Sequence, residues 1–294
     1  MIKLIGVTKK FDDLRALDNI TIEIKDGSIC ALAGSNGSGK STMLRCLAGI
    51  YKCDEGQILI DNEDVYDNPK IKETCYFVPD YPFYYYDSTL DNTAKLMKGL
   101  YENWSDETYE HLLKITALPR DKKIINMSKG MQRQASLIIA FSTKPKYFFM
   151  DEIFDGLDPV IRGTIKKIMV ECATENKTTC IVASHNMREV DDVCNDVIFL
   201  HSGKLVESDD TEILKESLNK IQIAFSNIPE PKVFTDLNCE IVSQTGGYFV
   251  LMAKGNLQEI EDKLKELNPD YIETIGTSLE EVFINKMEEA GYGK

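Results

Sequence analysis

The chain has 294 residues, of which 43% are hydrophobic and 28% are charged, and this composition excludes collagen-like, low-complexity and coiled-coil-dominated proteins. Asp and Glu number 48 against 34 Lys and Arg, so the formal net charge is −14. A surface of that sign repels nucleic acids and anionic bilayers, and we therefore exclude general nucleic-acid binding.

The start of the chain and its cysteines bear on where the protein works. No apolar run approaches the ~20 residues that span a bilayer, and residues 1–7 are followed by Lys9 and Lys10 without the apolar core of a signal peptide. We therefore expect a cytoplasmic protein unless other subunits bring it to a membrane. The eight cysteines form no C-x-x-C pair, which favours reduced, mostly buried thiols over a metal site or a disulfide framework.

The chain begins with β-structure. Clustered apolar and β-branched residues predict three strands, at residues 2–7, 20–24 and 29–33. A glycine-rich loop over residues 34–39 follows the third strand. Apolar residues then recur at helical spacing until Gly49 ends the pattern, so a helix is predicted over residues 40–48.

The rest of the chain predicts two domains. Residues 87–145 have helical spacing, and the apolar run 147–150 indicates a buried strand after them. Helices and strands then alternate, which is typical of a parallel sheet covered by helices; they are helix 159–173, strand 179–183, helix 187–194 and strand 197–200. Beyond residue 218 short strands predominate, at 221–225, 240–244, 247–252 and 271–275, with helices at 256–267 and 278–289. We predict an α/β domain at residues 1–218 with a helical insertion at about 80–145, and an α+β accessory domain at 219–294.

The glycine-rich loop carries the first chemical motif. Residues 34–41 match G-x-x-x-x-G-K-[ST] between a strand and a helix, the context of a phosphate-binding P-loop; an ordinary glycine-rich turn is the disfavoured alternative. Backbone N–H groups of such a loop converge on phosphate oxygens, Lys40 reaches the β and γ phosphates, and Ser41 can ligate Mg²⁺. The predicted nucleotide-binding residues are Gly34, Ser35, Asn36, Gly37, Ser38, Gly39, Lys40, Ser41 and Thr42.

An acidic pair supplies the complementary half of the site. Asp151 and Glu152 follow directly on the apolar strand, where an acid at a strand end can hold Mg²⁺ and its neighbour can polarise an attacking water. Such a pair is usually solvated surface, but downstream of a P-loop the functional interpretation is favoured. We therefore predict Asp151 as a metal ligand and Glu152 as the catalytic base.

Three further segments give residues 1–215 a resemblance to the ATP-binding subunits of ATP-binding cassette (ABC) transporters. Residues 127–131 look like the signature segment of that family, residues 154–159 like its D-loop, and residues 183–185 like the segment of its switch histidine. The resemblance implies that the signature contacts the ATP of a partner subunit, and that His185 hydrogen-bonds the γ-phosphate or the attacking water. The residues so implied are Ser128, Lys129, Gly130 and Met131 of the signature, Asp158 of the D-loop, and His185.

The signature segment and residue 80 depart from the usual pattern of the family, whereas Phe11 fits it. The signature differs from the common L-S-G-G-Q form but keeps Ser128 and Gly130, which suffices for a γ-phosphate contact. Asp80 stands where the family usually has Gln; it could ligate Mg²⁺, but it adds negative charge beside a triphosphate. Phe11 falls where the family places an aromatic residue to stack on adenine, with core packing as the alternative.

The resemblance also implies an architecture and partners. It implies a P-loop NTPase core with an antiparallel β subdomain and a helical subdomain, hydrolysis of ATP with Mg²⁺ by Lys40, Glu152 and His185, and head-to-tail pairing with a second cassette, identical or different. Transport would need separate membrane-spanning subunits, with this chain at the cytoplasmic face. The helical insertion near residues 80–130, with its aromatic run 81–86, is the expected docking surface, a locally packed loop being the alternative for the run. Residues 277–283 resemble the ending found in bacterial drug, antibiotic and polysaccharide exporters.

Other classes of protein remain as alternatives. A soluble cassette ATPase acting on ribosomes or DNA usually has two cassettes in one chain, a long coiled-coil insertion or zinc-binding cysteines, and the sequence has none of these. A P-loop kinase or GTPase would leave residues 127–131 and His185 unexplained. The sequence does not predict the cargo.

Overall fold

The structure is a computed structural model that describes residues 1–253 and 255–291. The chain divides into two units, Met1–Ser208 and Asp209–Lys294, so this division precedes the domain boundary predicted at residues 218 and 219. The strands are β1 (Ile2–Phe11), β2 (Leu14–Ile24), β3 (Ile29–Gly34), β4 (Glu55–Ile60), β5 (Glu63–Asp64), β6 (Cys75–Val78), β7 (Tyr147–Asp151), β8 (Thr179–Ser184), β9 (Asp196–His201), β10 (Lys204–Asp210), β11 (Asn219–Ala224), β12 (Cys239–Thr245), β13 (Tyr248–Ala253) and β14 (Tyr271–Ile275). The helices are α1 (Lys40–Leu47), α2 (Pro69–Lys72), α3 (Leu90–Leu100), α4 (Asp106–Thr116), α5 (Lys129–Ser142), α6 (Pro159–Glu175), α7 (Thr211–Glu216), α8 (Lys232–Asp236), α9 (Leu257–Glu266) and α10 (Leu279–Glu289).

The first unit contains two sheets. One has the order β2-β1-β4-β5 with antiparallel pairing, and the other has the order β10-β9-β3-β8-β7-β6, in which β9, β3, β8, β7 and β6 run parallel. Parallel neighbours need a crossover, and helices of the first unit supply it. The predicted α/β class, with its antiparallel β subdomain, is confirmed.

The central parallel strands determine where polar groups can emerge. Every residue of β3, β7 and β8 is buried, as expected for parallel strands covered by helices, and α1 and α6 both pack against them. Because parallel strands end at the same edge, the segments that follow Gly34, Asp151 and Ser184 emerge side by side.

The helical pattern predicted for residues 87–145 corresponds to three helices. The N-caps of α3, α4 and α5 are Thr89, Ser105 and Ser128, and α5 packs against both α3 and α4. The helix predicted over 187–194 is shorter than expected: a single 3-10 turn, Met187–Glu189, is followed by hydrogen-bonded turns of mixed three- and four-residue spacing. The chain then enters β9 at Asp196.

The second unit has its own sheet and core. Its strands pair in the order β12-β13-β11-β14, all antiparallel, and the rings of Phe225, Phe234 and Phe249 cluster in the core with centroids 4.9–6.2 Å apart. The four predicted strands lie within two residues of those observed, whereas α7 and α8, of six and five residues, are too short for a helical period to be recognised. Among the described residues no helix is both long and apolar enough to cross a membrane.

Candidate nucleotide-binding site

The P-loop connects β3 to α1 and needs its glycines for space. Gly39 has a φ of +108°, and a Cβ added there would lie 2.4 Å from the carbonyl oxygen of Ala16. A Cβ on Gly34 would lie 2.4 Å from the carbonyl oxygen of Leu200. Both distances are shorter than a van der Waals contact, so the loop can follow this path only with glycine at the two positions.

The loop forms one wall of a cavity of about 510 Å³. Ten of the residues predicted from the sequence line it: Phe11, Asn36, Gly37, Ser38, Gly39, Lys40, Ser41, Thr42, Asp80 and Glu152. The ring of Phe11 is 39% exposed and packs edge-on against Tyr51, with centroids 5.4 Å apart. An aromatic face is therefore available beside a phosphate-binding loop, the combination that a nucleotide requires.

Lys40 is buried at the base of this cavity. Its Nζ donates to the carbonyl oxygens of Gly34 at 2.8 Å and of Ser35 at 3.2 Å. Burial lowers the pKa of Lys40, while the charges of Glu152 and Asp151 act in the opposite direction. The ammonium group is thus held among loop carbonyls, next to backbone N–H groups suited to an anion.

Asp151 ends β7 with no exposed surface. Its Oδ1 accepts a hydrogen bond from Ser41 Oγ at 3.1 Å, and its Oδ2 is buried without a partner among the described residues. Burial raises the pKa of Asp151, with the Ser41 hydrogen bond acting against it. Oxygen atoms of hydroxyl and carboxylate groups are the ligands that Mg²⁺ prefers, and a buried oxygen without a partner is suited to contact such an ion. The residues present therefore fit Mg²⁺.

Glu152 leaves the strand in a left-handed conformation, with a φ of +48°, which non-glycine residues adopt at an energetic cost that is common in functional sites. Its Oε2 lies 2.9 Å from Nδ1 of His185, which follows β8. Burial raises the pKa of Glu152, and the hydrogen bond and charge of His185 oppose that rise. A carboxylate of raised basicity, oriented by an imidazole, is suited to accept a proton from water.

The predicted signature residues lie away from the cavity, at the start of α5. Ser128 is the exposed N-cap, whose Oγ accepts a hydrogen bond from the Met131 N–H at 3.3 Å, and Lys129 is exposed. A Cβ on Gly130 would lie 2.9 Å from the carbonyl oxygen of Gly156 in the predicted D-loop. The signature and the D-loop thus meet within one chain, and both leave polar groups at the surface.

Asp158 of the predicted D-loop caps α6 through bonds from the N–H groups of Val160 and Ile161, at 3.0 and 3.1 Å. One turn into that helix, Arg162 donates to the carbonyl oxygen of Leu157 at 3.3 Å and pairs with Glu189 at 3.2 Å. The D-loop is therefore bonded to the helix that follows it, and Arg162 of that helix connects it to the segment after His185.

Several residues of the site were missed by sequence reasoning. Asp155 lies close enough to Glu152 and His185 for the three side chains to share one ion, and its acidic character close in sequence to Asp151 and Glu152 was a signal that could have been used. Arg133 is buried and pairs with Asp80. A lone Arg on the apolar face of a predicted helix could have pointed to a buried counter-ion.

Comparisons with known proteins agree with this geometry. The family model described as ABC transporter matches residues 17–155. The ABC transporter ATP-binding protein YtrB of Bacillus subtilis is 31% identical over 97% of this chain and 98% of its own length. The methionine import ATP-binding protein MetN of Clostridium tetani is 30% identical over 70% of this chain and 68% of its own length.

A solved structure supports the same assignment. The dimeric post-hydrolysis state of the ATP-binding cassette MJ0796, bound to ADP and Pi, is 25% identical, with a TM-score of 0.65 over 72% of this chain and 99% of that one. The prediction of an ATPase with the cassette fold is confirmed. This chain belongs to the ATP-binding proteins of ABC transporters.

Proposed function

We propose that this protein is the ATP-hydrolysing subunit of an ABC exporter and powers separate membrane-spanning subunits through ATP-driven dimerisation. One observation carries the proposal: the buried Asp151 carboxylate beside Ser41 and the P-loop, with Glu152 and His185 at the same sheet edge. Export rather than import is proposed because residues 277–283 resemble the ending of exporter cassettes. We place the protein at the cytoplasmic face of a membrane because its partners would be membrane subunits.

The residues divide the reaction among them. Mg²⁺, when bound by Ser41 and Asp151, supplies charge neutralisation for the transferred phosphoryl group. Lys40 and the loop N–H groups bind the phosphates, and Phe11 holds the base. Glu152 takes a proton from the attacking water at its carboxylate, and His185 fixes the orientation of that carboxylate by the 2.9 Å contact.

Replacing the P-loop lysine tests the reaction. Lys40→Ala removes a phosphate contact and a positive charge that stabilises the transition state, so we expect ATP turnover by the purified protein to fall at least ~100-fold. Lys70→Ala is the matched control, because Lys70 is an exposed lysine of the first unit that pairs with Glu63 at the surface. Phosphate release gives the rate. Wild-type turnover in Lys40→Ala would refute the assignment.

The metal site yields a prediction that depends on pH. The pKa of Asp151 in the folded protein lies above that of an unfolded Asp, so the folded state binds this proton more tightly. Folding is thereby favoured at low pH and loses stability as the pH rises through the folded pKa. Asp151→Asn should therefore stabilise the protein without Mg²⁺ at pH 8, and this gain should disappear near pH 3.

Thermal unfolding without nucleotide measures that difference, and Asp121→Asn, at an exposed position, is the control. Stabilisation by Mg-ATP should be lost in Asp151→Asn and kept in Asp121→Asn, because only Asp151 faces the metal site. An Asp151→Asn protein that is less stable than wild type at pH 8 without Mg²⁺ would contradict this account.

Dimerisation follows from the exposed signature and D-loop. Glu152→Gln keeps the shape of the side chain but cannot accept the proton, so we expect it to bind Mg-ATP and accumulate as a dimer holding two nucleotides. Ser128→Arg places bulk where the partner's γ-phosphate would approach, and should abolish that dimer while the monomer still binds ATP. Light scattering of Glu152→Gln with and without Mg-ATP, alone and combined with Ser128→Arg, measures both.

Ser105→Arg is the control for Ser128→Arg, because Ser105 is likewise the N-cap of a helix, accepting from the Thr108 N–H at 3.1 Å. Each substitution removes an N-cap, which lowers the stability of the protein by about 1 kcal/mol, but only Ser128 belongs to the signature. If Glu152→Gln stays monomeric at saturating ATP, the homodimer is wrong, and a heterodimer of two different cassettes becomes the favoured hypothesis.

The aromatic run is the proposed docking surface for the membrane subunits. Tyr81, Phe83, Tyr85 and Tyr86 are each more than 70% exposed, and a cavity of about 410 Å³ lies among this run, α3 and α5. Exposed aromatic residues on an acidic protein are costly unless a partner covers them. We propose that a cytoplasmic segment of a polytopic membrane subunit, apolar on one face, occupies this surface.

Co-purification tests the docking surface and separates transport from a soluble role. The full chain is co-expressed with a candidate membrane subunit, a polytopic membrane protein, and the complex is isolated in detergent. Phe83→Ser combined with Tyr85→Ser should reduce recovery of the membrane protein at least tenfold. Ile50→Ser, at an exposed apolar residue elsewhere in the first unit, should not. If the membrane protein is recovered equally with the Phe83→Ser, Tyr85→Ser variant and with Ile50→Ser, the proposed docking surface is refuted.

A further inference from the structure

Residues 79–84 are bonded to the first turns of α5 by three hydrogen bonds. Arg133 donates from Nη2 to Asp80 Oδ1 at 2.8 Å and from Nη1 to the carbonyl oxygen of Pro79 at 2.9 Å. The hydroxyl group of Tyr84 donates to the carbonyl oxygen of Gln132 at 2.9 Å. We call this set of five residues the arginine clamp.

Burial makes the charge balance of the clamp important. Arg133 is only 7% exposed, and a guanidinium group cannot lose its proton to escape the cost of burial. A buried cation needs a counter-ion, and removing one member of such a pair is far more costly than removing both. An amide at position 80 could accept a hydrogen bond but could not neutralise the charge. Because Arg133 needs a carboxylate, this charge balance accounts for the presence of Asp80 at a position where ABC cassettes usually have glutamine.

The clamp lies where three regions of the first unit meet. Asp80 lines the nucleotide cavity together with Lys40 and Ser41. Residues 81–84 of the segment are also the first part of the exposed aromatic run. Arg133 is in the second turn of the helix that begins with the signature. A shift of residues 79–84 would thus be passed to the signature through a charge-assisted bond, which is stronger than a bond between neutral groups.

We propose that Asp80 is the counter-ion of Arg133 and not a magnesium ligand, and that Arg133 is a positioning residue that holds the signature helix in register with the nucleotide cavity. The second part rests on the proposed function, because register matters only if the signature meets the ATP of a partner. The first part concerns charge balance inside one chain and is independent of catalysis.

A double-substitution cycle tests the counter-ion. Asp80→Asn leaves a buried cation unbalanced, whereas Asp80→Asn combined with Arg133→Met removes both charges. In the full chain without nucleotide, we expect the urea midpoint of unfolding to fall in Asp80→Asn and to recover by more than half in the double variant. Additive losses would overturn the pairing. If Asp80→Asn does not fold, recovery of a folded double variant supports the pairing, and failure of the double variant to fold overturns it.

Magnesium dependence tests the alternative role of Asp80. The Mg²⁺ concentration that gives half-maximal binding of a fluorescent ATP analogue is measured for Asp80→Asn and for Asp151→Asn. We expect a change of less than twofold for Asp80→Asn and of at least tenfold for Asp151→Asn. A tenfold rise in Asp80→Asn with no rise in Arg133→Met would identify Asp80 as a metal ligand and overturn the proposal.

Dimerisation tests the positioning role. In the Glu152→Gln background, Arg133→Met should raise the ATP concentration needed for dimers at least tenfold while the Kd of the monomer for ATP changes less than twofold, and Arg133→Lys should restore part of the loss. Arg120→Met is the matched control, because Arg120 pairs with Asp91 and Glu110 at an exposed site in the same helical region. Equal effects of Arg133→Met and Arg120→Met would overturn the positioning role.

These readouts separate the two levels of argument. If wild type fails to bind the ATP analogue, the proposed function fails, and the urea cycle still decides whether Asp80 is the counter-ion of Arg133. If wild type binds and dimerises but Arg133→Met dimerises normally, the proposed function stands and the positioning role is refuted.

Discussion

The cost of burying charge at the carboxyl edge of a parallel sheet is the constraint on which the first unit depends. Asp151 is fully buried, with one oxygen that has no partner in the part of the chain that the structure describes, and Lys40 is buried among loop carbonyls. Isolated groups of this kind would disfavour folding. The wholly buried strands β3 and β8 beside them contribute the apolar burial that offsets this cost. A divalent cation would neutralise the buried Asp151 carboxylate, and a phosphate group would neutralise the Lys40 ammonium group. The cost of burying these two charges therefore favours binding of the ligand.

Arg133 poses the same physical problem with a different solution. Its charge is balanced within the chain by Asp80, whereas the free oxygen of Asp151 has no partner among the described residues. A buried charge that the chain itself neutralises serves position, and one that the chain leaves open is suited to a ligand. This distinction assigns different roles to two aspartates that the sequence alone put in one metal site, and the magnesium titrations test that assignment.

The sequence was informative wherever chemistry is local. The P-loop is readable because close approach of the backbone demands glycine at fixed spacing, and Gly39 and Gly34 have that crowding. The acidic pair can be recognised from the sequence because a buried apolar strand has to end where charged side chains begin. Pairing across the fold has no such signal: Asp80 and Arg133 are 53 positions apart, and only the packing of α5 brings them together. The 3-10 turn after β8 was mistaken for a helix because apolar spacing over one or two turns does not distinguish the two.

The contacts of the D-loop connect the surface to the catalytic pair. Gly156 meets the signature at Gly130, and Arg162 bonds the carbonyl oxygen of Leu157 while pairing with Glu189. Glu189 in turn accepts a hydrogen bond from the hydroxyl group of Ser184 at 3.4 Å.

Ser184 immediately precedes His185, which contacts Glu152. The route is a chain of close contacts and hydrogen bonds, the kind of network that can carry coupling between distant segments. In the proposed dimer a partner that presses on the signature and D-loop of one chain would therefore act on the general base of that same chain.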